Sequence, residues 1–150
     1  ALRLLAAQYS ANAYPFSTRY QNCNQWVVEL LATAWGGLAD GVDLRARAQA
    51  WLAANDYRPP PVIIDSHWVK FAADFMPLVH LDDHPVADRY GMALRISMPE
   101  AIEDFTRQRL SDAKRIELCH DERQVVIRKG WQEIADGCRA AEGNRVIALD

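Results

Sequence analysis

The sequence predicts an α+β fold, with helices first and an antiparallel sheet last. Apolar residues recur at helical spacing between residues 23 and 52, while the last third holds strand-like runs around a tight turn. Half of the 150 residues are apolar and a quarter are charged, enough for a packed core. The chain reads as one domain over residues 1–150, the C-terminal part of a longer protein.

Residues 1–9 read as the continuation of a helix, which suggests a processed chain or a piece of a longer one. Residues 10–21 form a polar and aromatic loop with one proline. Asn22 is placed to cap a helix from Cys23 to Trp35, with Trp26, Val27, Leu30, Leu31 and Ala34 as its core stripe. Gly36-Gly37 ends it. Asp43 caps a second helix, whose face carries Leu44, Ala48, Trp51 and Leu52 and which stops near Asn55.

Tyr57-Arg58-Pro59-Pro60-Pro61 is a stiff extended link, because proline fixes φ and removes a donor. Val62–Asp65 reads as a short buried strand, and Ser66 caps a helix over Trp68–Phe75 that Pro77 stops. Leu78–Leu81 reads as a strand, Asp82–Pro85 as a turn and Met92–Met98 as a strand. Pro99 opens a helix to Arg109. Arg115–Cys119 and Gln124–Arg128 flank Asp121-Glu122 as a hairpin. Trp131–Ile134 and Arg145–Leu149 read as third and fourth strands.

Net charge is −3 and the basic residues are scattered, so no nucleic-acid footprint is present. No apolar run approaches the ~18 residues of a membrane span. No cofactor is implied.

Three cysteines are present, none at CxxC spacing, which disfavours a zinc or redox motif. Cys119 and Cys138 flank strand-like runs and can bridge in an oxidising compartment. Cys23 is left over, at the first turn of a helix. There the unpaired N–H groups and the positive end of the helix dipole favour an anion, and the thiolate is the nucleophilic form of cysteine. Asn22, Asn24 and Gln25 offer amide donors of the kind that stabilise an oxyanion. Cys23 is therefore the candidate nucleophile, weighed against the commoner role of a buried apolar filler.

A cysteine nucleophile needs an imidazole within hydrogen-bond reach. His84, beside Asp82 and Asp83 in a turn, is the first in-chain candidate, and His80 is the second. Asp82-Asp83-His84-Pro85 also reads as a plain solvated turn. His67 and His120 suit a helix start and a hairpin. His80, Asp82, Asp83 and His84 are also a metal-ligand spacing, though a weak one. Arg19 is placed to anchor a substrate carboxylate or to pair with an acid. Tyr14, Phe16, Tyr20 and Trp26 read as packing.

The run from Asn12 to Val27, with Phe75 through Pro85, resembles the DUF2145 family of uncharacterised bacterial proteins, over essentially the whole chain. Members of that family resemble exported proteins with an N-terminal signal, longer than this chain. The portion preceding the match in such relatives includes a Ser-His-x-Gly-like segment. That segment is similar to the histidine-bearing strand of circularly permuted NlpC/P60, papain-like hydrolases. The resemblance implies a papain-like (NlpC/P60-type) fold, with Cys23 as nucleophile and its histidine upstream of Ala1. His84 then becomes a structural or substrate-loop residue.

The function expected is a cysteine hydrolase or amidase on a peptide-like or acyl substrate; the alternative is an inactive module acting as a periplasmic accessory subunit. Its partners would be that substrate, a protein, or a companion chain supplying the upstream segment. A periplasmic or secreted location is expected, with Cys119 and Cys138 joined as a disulfide.

Overall fold

A computed structural model describes residues 2–73, 75–131 and 137–149. It is α+β, with a 3-10 turn at Leu2–Leu4 and five helices among the described residues: α1 Cys23–Trp35, α2 Leu44–Ala54, α3 His67–Ala73, α4 Val86–Tyr90 and α5 Pro99–Arg109. The strands form two small antiparallel sheets: β1 Pro61–Ile63 with β2 Ala93–Arg95, and β3 Ile116–His120, β4 Gln124–Lys129 and β5 Arg145–Ala148 in that order. The chain divides into two compact units, Ala1–Phe105 and Thr106–Asp150, with the boundary inside α5.

In the first unit, α1 begins where expected, because Asn22 Oδ1 accepts the Gln25 backbone N–H at 2.7 Å. Its end follows from two glycines. A Cβ on Gly36 would lie 2.8 Å from the Ala32 carbonyl and 2.9 Å from the Trp51 ring, and Gly37 sits at φ +57°. Val28 and Ala32 of α1 meet Ala48 and Leu52 of α2, with Tyr57, Ala101 and Phe105 completing the core. The Phe105 ring meets Trp35, Trp51 and Tyr57 at centroid distances of 5.9, 6.3 and 5.2 Å.

The buried face of α1 differs from the predicted stripe. It consists of Gln25, Val28, Glu29 and Ala32, while Val27 and Leu30 are exposed. Two polar residues occupy core positions here because they bond to each other and to α2. Asp43 precedes α2 without a side-chain capping bond; its carboxylate takes the Arg47 guanidinium at 3.1 Å instead.

Residues 1–9 do not continue a helix beyond the Leu2–Leu4 turn. Gln21 takes over the backbone partners: its Nε2 donates to the Leu4 carbonyl at 2.8 Å, and its Oε1 accepts the Ala6 N–H at 3.0 Å. The expected strand at Leu78–Leu81 is a loop for a similar reason. The His80 N–H donates to Ser10 Oγ and Asn12 Oδ1, and Asn12 Nδ2 donates to the His80 carbonyl at 2.9 Å. Side chains do there what a neighbouring strand would otherwise do.

The strand at Val62–Asp65 is shifted to Pro61–Ile63 and is exposed along its length, since it belongs to a two-stranded ribbon. α4 has no counterpart in the sequence reading. At five residues it is too short to leave a periodic signal.

In the second unit the hairpin and last strand form as read, with Ile116 opposite Lys129 and Gln124 opposite Ala148. Asp121 Oδ1 accepts the N–H groups of Arg123 and Gln124, closing the turn. Arg128 is buried, donating to Glu117 Oε1 at 2.6 Å and to the Arg139 carbonyl at 2.7 Å. The expected strand at Trp131–Ile134 falls mostly on residues outside the described ones. Cys119 and Cys138 are joined in a disulfide.

Two outcomes follow. Intact mass with and without reductant should differ by the two hydrogens of one disulfide, and its reduction should cost the second unit about 3 kcal/mol. Burial pushes the Tyr57 phenol up to about 12, with only a small opposing pull from Ser97. The folded state holds this proton more tightly than the unfolded chain. Stability is therefore present below pH 10 and falls as pH rises toward 12, by about 2–3 kcal/mol. Among the described residues Tyr57 Oη makes no hydrogen bond of good geometry, the nearby Ser97 hydroxyl included. Tyr57→Phe should therefore flatten this loss in urea titrations across that range, without lowering stability at neutral pH.

Candidate functional site

The loop of residues 10–22 delivers Cys23 to the first turn of α1. Its course is fixed by a short parallel pairing of Tyr9 with Gln21 and by bonds from its backbone to buried side chains. Glu29, fully buried on α1, is the centre of that holding network. Its Oε1 accepts from Gln25 Nε2 (3.2 Å), Arg45 Nη2 (3.0 Å) and Gln49 Nε2 (2.7 Å). Its Oε2 accepts from Gln21 Nε2 (2.6 Å) and Arg45 Nε (2.9 Å). Arg45 continues to the carbonyls of Thr18 and Tyr20, at 2.7 and 3.1 Å. Gln25 Nε2 also lies near the carbonyls of Tyr14, Pro15 and Ser17. A buried charge is tolerated only with such complete pairing.

The sequence reading missed Glu29, Arg45 and Gln49. The available signal was spacing: Gln25 and Glu29, like Arg45 and Gln49, stand four apart on helix faces otherwise apolar.

Cys23 is exposed and free. Its Sγ lies 4.0 Å from Asn24 Oδ1. It lines a cleft of about 300 Å³ with Leu5, Ala6, Gln8, Tyr9, Gln21, Asn22 and Trp26. Trp26 borders this cleft, rather than joining the buried face of α1.

The other site candidates divide. Asn24, half-buried, stays beside the thiol. Asn22 spends its Nδ2 on the Ala11 carbonyl at 3.1 Å, and Gln25 spends its amide nitrogen inside the core. Arg19 pairs with Asp82 at 2.7 Å and covers the Tyr20 ring.

His84 is buried against the Asn12 carbonyl, with 2.6 Å from Nε2 to oxygen, so this nitrogen carries the proton. Its Nδ1 is buried without a partner among the described residues. Asp83, beside it, accepts the Tyr14 N–H at 2.9 Å; burial raises its carboxyl above the usual range, against the pull of that bond and of His84. His80 stacks on Tyr20 at 4.4 Å. No histidine lines the Cys23 cleft among the described residues. Nor do three or more His, Cys, Asp or Glu converge as metal ligands among the described residues. Tyr14 and Phe16 pack edge to face at 5.8 Å, and Phe16 on Tyr57 at 6.5 Å.

The chain holds both this loop and the cleft within its first unit. It belongs to the DUF2145 family, described as an uncharacterised protein conserved in bacteria, whose profile matches residues 1–106. The match thus covers the first compact unit, not the whole chain as the sequence reading had it. No curated protein and no solved structure matches the chain.

The network makes a prediction about the loop. Arg45→Met leaves Glu29 charged, buried and short of two donors, and should cost about 3–5 kcal/mol in urea unfolding. Adding Glu29→Met to that variant should recover much of the loss, because the uncompensated charge goes with it.

Proposed function

We propose that Cys23 is the nucleophile of an exported, papain-like cysteine hydrolase or amidase. It would act on a peptide, isopeptide or lipid-linked acyl bond in the periplasm or outside the cell. The observation that carries this reading is an exposed thiol on the first turn of α1, on the wall of a cleft of about 300 Å³. The thiol attacks as its thiolate, and Asn24, whose Oδ1 lies 4.0 Å from Sγ, carries beside it an amide of the kind that can donate to an oxyanion. The largely apolar wall of Leu5, Ala6, Tyr9 and Trp26 suits a substrate with an apolar group next to the scissile carbonyl. The imidazole is then supplied by the segment preceding Ala1 or by a companion chain. The disulfide, and the lack of any described helix long and apolar enough to cross a membrane, are compatible with export.

A second reading has its own support. His80 and His84 are engaged by Tyr20 and Asn12, away from the thiol. An accessory module without catalysis would need nothing more.

The full-length protein separates the two. In the catalytic reading its thiol alkylates faster than glutathione at pH 6, and Cys23→Ala abolishes both labelling and acyl-substrate turnover, by about 10³-fold or more. Labelling no faster than glutathione, with turnover unchanged in Cys23→Ala, would sink it and leave the accessory role.

A further inference from the structure

Away from the Cys23 cleft, α3 and α4 present an apolar surface that the first unit leaves uncovered. On α3, Trp68 is 80 % exposed and Phe71 56 %, with Phe75 just beyond at 73 %; Tyr90 at the end of α4 is 80 % exposed. The rings of Trp68, Phe71 and Phe75 follow one another edge to face, at 6.3 and 5.1 Å, as one ridge. Scattered exposed apolar residues need no explanation, whereas a contiguous aromatic ridge marks a surface that meets something.

Charge says what it meets. Lys70 of α3 and Arg89 of α4 line a pocket of about 260 Å³ with Leu81, Val86 and Tyr90. Lys70 Nζ donates to the Arg89 carbonyl at 2.5 Å and lies 5.5 Å from the centre of the Tyr90 ring. The Arg89 side chain has no ion-pair partner among the described residues, and its Nε is buried without a hydrogen bond. Three of the four described carboxylates between residues 65 and 89 are already occupied. Asp88 is held by Arg95 at 2.9 and 3.1 Å, Asp82 by Arg19, and Asp83 is buried on the Tyr14 N–H. Asp65, before α3, is the described exposed acid that remains. Among the described residues, the pocket therefore joins two cations and a phenol with no acid in its walls.

We propose that the α3–α4 face docks on an anionic phospholipid surface. A headgroup phosphate takes the Lys70–Arg89 pocket, while Trp68, Phe71 and Phe75 enter the boundary between headgroups and acyl chains. Aromatic rings with an apolar body suit that boundary, and cations beside them suit anionic lipid. The net charge of −3 opposes general attraction to such a surface, so binding depends on this local arrangement. The inference is independent of the role of Cys23.

Sedimentation of the full chain with vesicles tests it. Phosphatidylcholine vesicles containing phosphatidylglycerol should bind the chain, vesicles of phosphatidylcholine alone much less, and added salt should release it. Lys70→Gln and Arg89→Gln should each weaken binding about fivefold, and together about 30-fold. The doubly substituted Trp68→Ala, Phe71→Ala chain removes exposed rings only; it should keep its circular dichroism and lose the vesicles. Three results would overturn the proposal: equal binding to both vesicle types, uptake of inorganic phosphate without vesicle binding, or self-association that the aromatic variant abolishes while vesicles are ignored.

Discussion

The first unit is organised around one buried carboxylate. Glu29 sits on the inner face of α1 at 0 % exposure and gathers donors from α1, α2 and the loop before α1. The desolvation of this charge is unfavourable by several kcal/mol and must be offset by geometry that holds every donor in place. α1 and α2 could pack through Val28, Ala32, Ala48 and Leu52 with some freedom to slide. The fork from Arg45 to Glu29 removes that freedom, because two nitrogens of one planar group must meet two oxygens of one carboxylate.

The same network shapes the loop. Arg45 draws the carbonyls of Thr18 and Tyr20 toward α2, and Gln25 and Gln49 both reach the Ser17 carbonyl. Gln21 then ties this loop to the start of the chain, through Leu4 and Ala6. The cleft beside Cys23 exists because Leu5, Ala6 and Tyr9 are held opposite Gln21, Asn22 and Trp26. A polar core thus sets the geometry at an apolar cleft. Asn12 and Ser10 extend the arrangement to residues 78–84, capturing the backbone of His80 and the ring of His84.

Much of the secondary structure was legible because it rests on local chemistry. The bounds of α1 follow from Asn22 and Gly36-Gly37, the end of α2 from Asn55, and the hairpin from Asp121. The disulfide partners followed from which cysteines flank strands. What misled was the assumption that an amphipathic helix buries its most apolar stripe. On α1 the inward face carries Gln25 and Glu29, and a pattern of apolar residues cannot report a charge whose partner, Arg45, lies 16 positions away. The apparent strand at Leu78–Leu81 misled similarly, since its backbone partners are side chains of Ser10 and Asn12.

The sequence by itself determined where α1, α2, α5 and the hairpin begin and end to within a residue or so, and that Cys23 opens a helix. Capping side chains, glycines and turn residues act within a few positions, so their effect can be read without the fold. Only the tertiary structure decided which residues accompany that thiol. It turned Gln25 into the core, closed Arg19 onto Asp82 and held His84 on the Asn12 carbonyl. It also brought Lys70 to Arg89, 19 positions away. These are long-range hydrogen bonds and ion pairs, satisfied only when separate segments meet.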